Sequence, residues 1–464
     1  MYRLDNTRFV SYFKTRYKFH IVGVGVMPLD RRAVVTGVIA SAIAFSARAG
    51  TITDTDVIIV GAGFAGISAA RQLKALGVRA IILEARNRVG GRAYTDTQTL
   101  GRKFDQGPYW LHNKATNPLV PLARQLGANL LDSSASNGQV FDQGTVFPHL
   151  SWDTVSGALE AWSMRQAVTS SILKDSSLGA TLPNPTLAQR FVKNIFAVEM
   201  GDDPDLISRK GYNVLEAGED LIPETGMGPL AQGLASGLDI RLNCPVSTVV
   251  WDGAHGVTVK GSFGQLTARK IIITAPTGVL VTGAIRFDPA LPQATQAAIS
   301  NLPMGAFEKH AMVLSQAMPD LPEYAISKKH VEQGLYHALS VSPDKKMVTA
   351  LIPGPVSRRL IKEGLPAMEA FADDLLKNVI GTRFRLDARA TTNWQSDPFA
   401  RGSYAYSRVG HSDARAIYAQ PVDDRLFFTG DGADDPLAVT VGGAWRNGQK
   451  AAKAVGRLLG AKGA

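Results

Sequence analysis

Apolar positions along this chain fall into blocks of two different periods. Val57 to Val60 is a continuous apolar run, the pattern of a strand buried on both faces. Glycines follow at Gly61, Gly63 and Gly66, and an alanine- and leucine-rich helical pattern then runs to about Leu76, where Gly77 supplies a stop. A second apolar run, Ala80 to Leu83, ends on Glu84. Strand, glycine turn, helix and second strand together predict a βαβ unit carrying a dinucleotide fingerprint. Gly61 permits the tight turn, Gly63 lets the backbone approach a pyrophosphate, and Gly66 lets helix and strand pack closely. The helix N-terminus around Ala65 offers N–H groups and a positive dipole end to phosphates. Glu84 can accept a hydrogen bond from a ribose hydroxyl.

The same patterning organises the rest. Asn117-Pro118 opens a short helix with Asn117 as N-cap and Gly127 near its end. Residues 139–147 read as a hairpin turning at Asp142–Gly144, and 151–209 turn helical and irregular. Gly226 to Ser236 reads as a helix, followed by strands at Asp239–Leu242, Val246–Trp251, Gly256–Lys260 and Gln265–Thr274. Pro366–Ile380 is helical again.

Length and composition change this picture in three ways. A chain of 464 residues exceeds one simple core, so two domains are expected. The formal charge of +10 is mostly local: residues 1–50 hold eight Lys/Arg against two acids, or +6, leaving +4 for the remainder. No basic stripe with interleaved aromatics appears in the body, so no nucleic-acid partner is expected. The single cysteine, Cys244, excludes a disulfide within the chain and reads as a small strand residue. No metal site is assigned.

The continuation Glu84-Ala85-Arg86-Asn87-Arg88-Val89-Gly90-Gly91-Arg92 carries a second glycine pair flanked by arginines, which a plain nicotinamide site does not need. It resembles the motif of the flavin-containing amine oxidases, in which this pair and its arginines lie against the FAD pyrophosphate and flavin. The resemblance extends over most of residues 55–460 and implies an α/β protein of two-domain FAD-dependent amine oxidase fold. A Rossmann-like βαβ FAD domain would be built from 51–110, 211–275 and 391–464. An α+β substrate domain would be inserted in pieces, 111–210 and 276–390.

Site residues follow from the same resemblance, position by position. Gly61, Gly63, Ala65, Gly66, Glu84, Ala85, Arg86, Gly91 and Arg92 would hold the cofactor. Val246, after Asn243-Cys244-Pro245, would hold adenine through its main chain. Trp110-Leu111-His112 is similar to the polyamine-oxidase pattern that places a histidine at the substrate channel, with Trp110 beside it. Pro303-Met304-Gly305, then Lys309 before an apolar strand, matches the lysine that holds a water against flavin N5. Trp394 and Arg401-Gly402-Ser403-Tyr404 resemble the family's Trp and Arg-Gly-Ser-Tyr, with Tyr404 as one wall of an aromatic cage. Ser403 stands where some monoamine oxidases carry a flavin-linking cysteine, so FAD is expected to be non-covalent. Gly430-Asp431 replaces the usual Gly-Glu and would accept hydrogen bonds from the ribityl or phosphate region. Thr440 and Val441 open the C-terminal helix, and Thr440 takes the place of the second cage aromatic. The acids Glu199, Asp202, Asp203 and Asp205 could draw in a cationic substrate but read first as a solvated loop.

The implied reaction is oxidation of an amine to an imine that hydrolyses, with oxygen reduced to hydrogen peroxide. Tyr404 would orient the substrate, His112 would bind or polarise it, and Lys309 with its water would assist flavin reoxidation or imine hydrolysis, with Trp110 and Thr440 lining the site. Alternatives kept open are an L-amino-acid oxidase, a dehydrogenase passing electrons to a periplasmic carrier, and a flavin-binding protein without turnover. Arg31-Arg32 precedes the apolar run Ala33–Phe45 and the small-residue pattern Ala47-Arg48-Ala49, which resembles a bacterial twin-arginine signal and implies a periplasmic or secreted protein. The run is too short to span a bilayer comfortably. A homodimer is among the open oligomeric states.

Overall fold

The computed structural model describes residues 54–464 apart from 134–137, 170–171, 253–255 and 383. The export pattern at residues 1–50, with Arg31 and Arg32, lies outside them.

Two large sheets organise the chain. The first runs in the order Arg286–Asp288, Val246–Val250, Val257–Gly261, Gly264–Ile273, Thr55–Val60, Ala80–Leu83, Ile240–Arg241, with Leu426–Phe428 also paired to Gly264–Ile273. Thr55–Val60 pairs in parallel on both sides, with Ala80–Leu83 and with Gly264–Ile273. Its continuous apolar run follows from burial on two faces. Ile58 and Val60 pack with Ile271, Ile273 and Phe428. Val57 and Ile59 pack on the other face with Ala69, Leu73, Ala452 and Val455. Those last residues belong to the helices Phe64–Ala75 and Val441–Leu458, one from each end of the described chain.

These helices approach closely because Gly448 lacks a side chain. A Cβ there would lie 2.1 Å from the Ala65 carbonyl oxygen and 2.2 Å from Ser68 Oγ. Gly448→Ala is expected to destabilise the fold by about 1–3 kcal/mol, since the neighbour is backbone and must shift. A thermal midpoint lowered by a few degrees, measured by calorimetry, checks this. An unchanged midpoint would mean the helices are less tightly apposed.

The second sheet runs Leu386–Thr391, Phe307–Leu314, Met347–Pro353, Ala338–Val341, Tyr324–Ser327, Gly138–Asp142, Thr145–Val146. Phe307–Leu314 lies next to the edge strand Leu386–Thr391 and is antiparallel to both neighbours. Its residues alternate between faces. Met312 and Leu314 join the cluster under the helices Gly354–Glu363 and Leu365–Ile380. Ala311 and Val313 face Leu100 and Phe104 instead. By the two-residue period, Lys309 shares this second face.

The domain boundaries read from sequence differ from these pairings at two places. The strand Arg286–Asp288 pairs with Val246–Val250, and Leu280, Ile285, Leu291, Ile299 and Leu302 pack with the first sheet. The first-sheet segment therefore runs past 275 to about Leu302. Leu111, Leu119, Val120 and Ala123 pack with Phe64 and Ile67, so the chain after 110 also stays with the helix Phe64–Ala75. Both misplacements share a cause. A short strand and a short helix carry too few apolar positions to declare which sheet they serve. The helix after Asn117 is Leu119–Gln125, with Pro118 at its cap and Asn117 Oδ1 accepting from the Leu119 N–H at 3.0 Å.

Candidate active site

A cavity of about 990 Å³ is lined from both sheets. Of the site residues read from sequence, Gly61, Gly63, Ala65, Glu84, Ala85, Arg86, Gly91, Arg92, Trp110, His112, Val246, Lys309, Trp394, Tyr404, Gly430, Asp431, Thr440 and Val441 all border it. Gly66 does not. It lies behind the cradle, where a Cβ would sit 1.9 Å from the Gly61 carbonyl oxygen, so it presses helix to turn. Gly61 has φ +101, a conformation open to glycine. A Cβ on Gly63 would meet nothing within 4 Å, so that position faces open space. The helix Phe64–Ala75 begins there with no side-chain cap and no acid in its first turn. Its first N–H groups are thus left for an anion.

These features fit a dinucleotide pyrophosphate. Open space stands where the backbone should approach phosphate, uncapped N–H groups point at it, and the cavity is long enough to be lined by adenine-side and flavin-side segments together.

Several side chains are engaged differently from expectation. Glu84, buried, accepts from the Ala62 N–H at 2.7 Å and the Arg86 N–H at 2.8 Å, which stiffens the turn and leaves its remaining lone pairs for a ribose hydroxyl. Arg86 is held bidentate by Asp397 at 2.9 and 2.7 Å. Asp431 does not stand ready for a ribityl group. It binds Arg92 bidentate at 3.1 and 2.5 Å and accepts from the Ala405 N–H at 3.2 Å. Burial works to raise its pKa, but Arg92 and these hydrogen bonds outweigh that and hold the carboxyl below its ordinary value. Asp431 therefore locks Arg92 in place. Thr440 caps the helix Val441–Leu458: its Oγ1 accepts from the Gly443 N–H at 3.1 Å and donates to the Leu437 carbonyl at 2.7 Å. Its hydroxyl is spent on the cap, so Thr440 offers the cavity mainly a methyl group. Trp394 Nε1 donates to the Gln106 carbonyl at 2.9 Å.

Lys309 is 7% exposed. Its Nζ donates to the carbonyls of Asp105 at 2.9 Å and Gly107 at 2.7 Å. Burial lowers its pKa from 10.5 to about 8. An ammonium has three N–H bonds, so one remains for the cavity. The Tyr404 hydroxyl donates to the Val198 carbonyl at 3.1 Å, and burial pushes the phenol well above its usual range. His112 Nδ1 lies 3.0 Å from Asp220 Oδ2. Trp110 lies between His112 and Tyr324, with ring centroids 6.1 Å from each, and its Nε1 donates to Ser133 Oγ at 3.2 Å.

Three contributors escape sequence reasoning. Asp220 stands 108 residues from His112 and no local motif announces it. Glu308 precedes Lys309 and is fully buried, accepting from Thr392 Oγ1 at 2.5 Å and from the N–H groups of Trp394 and Gln395 at 3.0 Å each. It ties the lysine strand to the Trp394 turn. Asp202, expected in a solvated loop, is fully buried and paired with Arg358. An unbroken Glu-Lys-His run inside an apolar strand was a visible signal for Glu308; the other two had none.

Fold and cradle define a dinucleotide-binding α/β protein whose cavity is lined from both sheets. The family model for flavin containing amine oxidoreductase matches residues 64–456, and the chain belongs to that family. It is 29% identical over 430 residues to polyamine oxidase 4 of Oryza sativa subsp. japonica, covering 85% of this chain and 87% of that one. It is 28% identical over 449 residues to lysine-specific histone demethylase 1 homolog 2 of Arabidopsis thaliana, covering 87% of this chain and 58% of that one. The solved cyclohexylamine oxidase from Brevibacterium oxydans IH-35A shares the fold, with a TM-score of 0.75 at 22% identity, over 88% of this chain and all of the other. The protein is thus a flavin-dependent amine oxidoreductase.

Proposed function

We propose that the protein oxidises a monoamine or polyamine, with FAD held non-covalently and oxygen as electron acceptor. The carrying observation is the charge of the compartment beyond the cradle. The helices Trp152–Thr169 and Leu187–Met200 and the 212–220 segment line it with Glu160, Glu199, Glu216 and Asp220. Among the described lining residues, the cations are Lys309, already donating to two carbonyls, and Arg86, Arg92 and Arg401 from the glycine turns and the 397–404 loop. Arg86 and Arg92 are already paired bidentate. An L-amino acid needs a cation for its carboxylate, and this acidic compartment favours an ammonium instead. The walls around it are aromatic, including Trp110, Trp162, Tyr212, Tyr324, Phe307 and Tyr404.

The bound flavin supplies the acceptor for a hydride equivalent leaving the amine carbon. The chain binds and orients the amine. Tyr404 forms a wall against which the substrate packs. His112 receives a hydrogen bond or proton from the amine. Lys309 offers one N–H to a water or to oxygen. The Ser403 hydroxyl donates to the Gly305 carbonyl at 3.0 Å, and no cysteine occupies that position, which supports non-covalent attachment. Export through a twin-arginine route is part of the proposal and rests on Arg31-Arg32 and the apolar run after them. No helix among the described residues is long and apolar enough to cross a membrane.

Anaerobic mixing with monoamines, polyamines and L-amino acids tests the reading. Bleaching of the flavin absorbance by an amine, and not by amino acids, is expected. Bleaching by amino acids alone would overturn the substrate class. Slow return of colour on admitting oxygen would transfer the acceptor role to a carrier.

A further inference from the structure

The pairing of Asp220 with His112 assigns a proton-handling role that neither residue has alone. We propose that Asp220 is the positioning residue that sets His112 as the acceptor of a proton from the substrate ammonium. This rests on the amine-oxidising reading above and deepens it.

The geometry is built by the backbone. The Leu111 N–H donates to the Leu221 carbonyl at 2.7 Å, and the Leu221 N–H returns a bond to Leu111 at 3.2 Å. That bridge sets Asp220 beside His112. Asp220 Oδ1 accepts from the Asn113 N–H at 3.1 Å, which leaves Oδ2 to His112 Nδ1 at 3.0 Å. From the other side, Asn117 Nδ2 donates to the His112 carbonyl at 2.8 Å. Both the main chain and the ring of His112 are therefore oriented. Neighbouring charges are matched among themselves: Lys114 pairs with Glu219 at 2.6 Å and Asp132 at 3.3 Å.

An ionised carboxylate only accepts hydrogen bonds, so the proton of neutral His112 must sit on Nδ1. Nε2 then carries the lone pair. His112 lines the cavity, and its side chain is 42% exposed. The step balances simply. An N–H bond of the substrate ammonium breaks, an Nε2–H bond forms, and the amine regains the lone pair that an imine requires. Positive charge passes to the imidazolium, next to the Asp220 carboxylate. The exposed ring edge returns the proton to solvent.

Long-range proton–nitrogen NMR on the flavin-loaded protein with labelled histidine reads the tautomer directly, independently of turnover. The chain has eight histidines, and His112→Gln identifies the signal. The Nδ1–H form is expected in the wild type and the Nε2–H form in Asp220→Asn, because the Asn amide can donate to Nδ1. The anaerobic rate of flavin bleaching by an amine should fall on the order of 100-fold in Asp220→Asn and recover in part in Asp220→Glu. A wild-type Nε2–H tautomer overturns the proposal, as does an unchanged bleaching rate in Asp220→Asn. If no amine bleaches the flavin, the amine-oxidising reading fails by itself, and the tautomer still decides the role of Asp220.

Discussion

Gly66→Ala should yield a colourless protein. The new Cβ would lie 1.9 Å from the Gly61 carbonyl oxygen and 3.3 Å from Ile59 Cγ2. The first neighbour is backbone in the tight turn, so it cannot rotate away. Either the helix Phe64–Ala75 lifts off the strand or the turn opens, and both displace the N–H groups aimed at the pyrophosphate. Overpacking of this kind costs about 1–3 kcal/mol of stability, and the loss of cradle geometry adds a loss of flavin. Gly63→Ala gives the contrast. Its Cβ meets no protein atom within 4 Å, so the flavin-free fold should keep its thermal midpoint. Flavin binding should still fall, because the methyl enters the space left for phosphate. The ratio of flavin to protein absorbance, with calorimetry of the flavin-free forms, separates the two variants. Full flavin content in Gly66→Ala would show that the helix can move without disturbing the cradle.

Lys309→Met should slow reoxidation of the bleached enzyme by oxygen about 100-fold, the scale for removing one preorganised donor from a buried site. Two N–H bonds of Lys309 are committed to the Asp105 and Gly107 carbonyls. Below about pH 8 the third N–H and the full charge are available to stabilise negative charge developing on oxygen. Above that pH the neutral amine keeps its two carbonyl bonds and presents a lone pair instead. The wild-type rate should therefore fall as pH rises through about 8, and the variant should be slow and flat over the same range. Stopped-flow absorbance from pH 7 to 9.5, roughly the span around that pKa, measures both. Stability gives a second reading. The unfolded chain keeps the ordinary value of 10.5, so between about pH 8 and 10.5 it holds a proton that the folded protein has released. Unfolding then takes up a proton, and this group makes the fold more stable as pH rises across that window. Lys309→Met lacks that gain, which a comparison of thermal midpoints against pH detects. A wild-type oxygen rate and pH profile in the variant would remove Lys309 from the reaction.

Legibility from the sequence tracked how local each constraint is. The cradle was readable because one stretch of chain supplies it: strand, three glycines, helix and second strand lie between residues 55 and 84, and each constrains its neighbours. For Lys309 the only sequence signal is the pattern of its neighbours, since a lysine in a strand ordinarily faces water. The structure places it on the face of Ala311 and Val313, where two carbonyls replace the water. The partner of Asp431 leaves no sequence signal, because Arg92 lies 339 residues earlier in the chain. The pairing of Arg286–Asp288 with the first sheet, beyond the expected boundary at 275, leaves no sequence signal because the strand is three residues long and finds its partner only once the sheet exists.

The sequence by itself determined the glycine-turn βαβ unit, most of the apolar strands of the first sheet and the family resemblance that implies a flavin. These depend on φ, on side-chain size and on period, all carried by consecutive residues. Tertiary structure alone decided which charges meet. Arg92 with Asp431, Arg86 with Asp397, Lys309 with two carbonyls and His112 with Asp220 each join distant segments. Hydrogen bonds act over about 3 Å, so no spacing along the chain encodes them, and only the packed sheets bring their partners within reach.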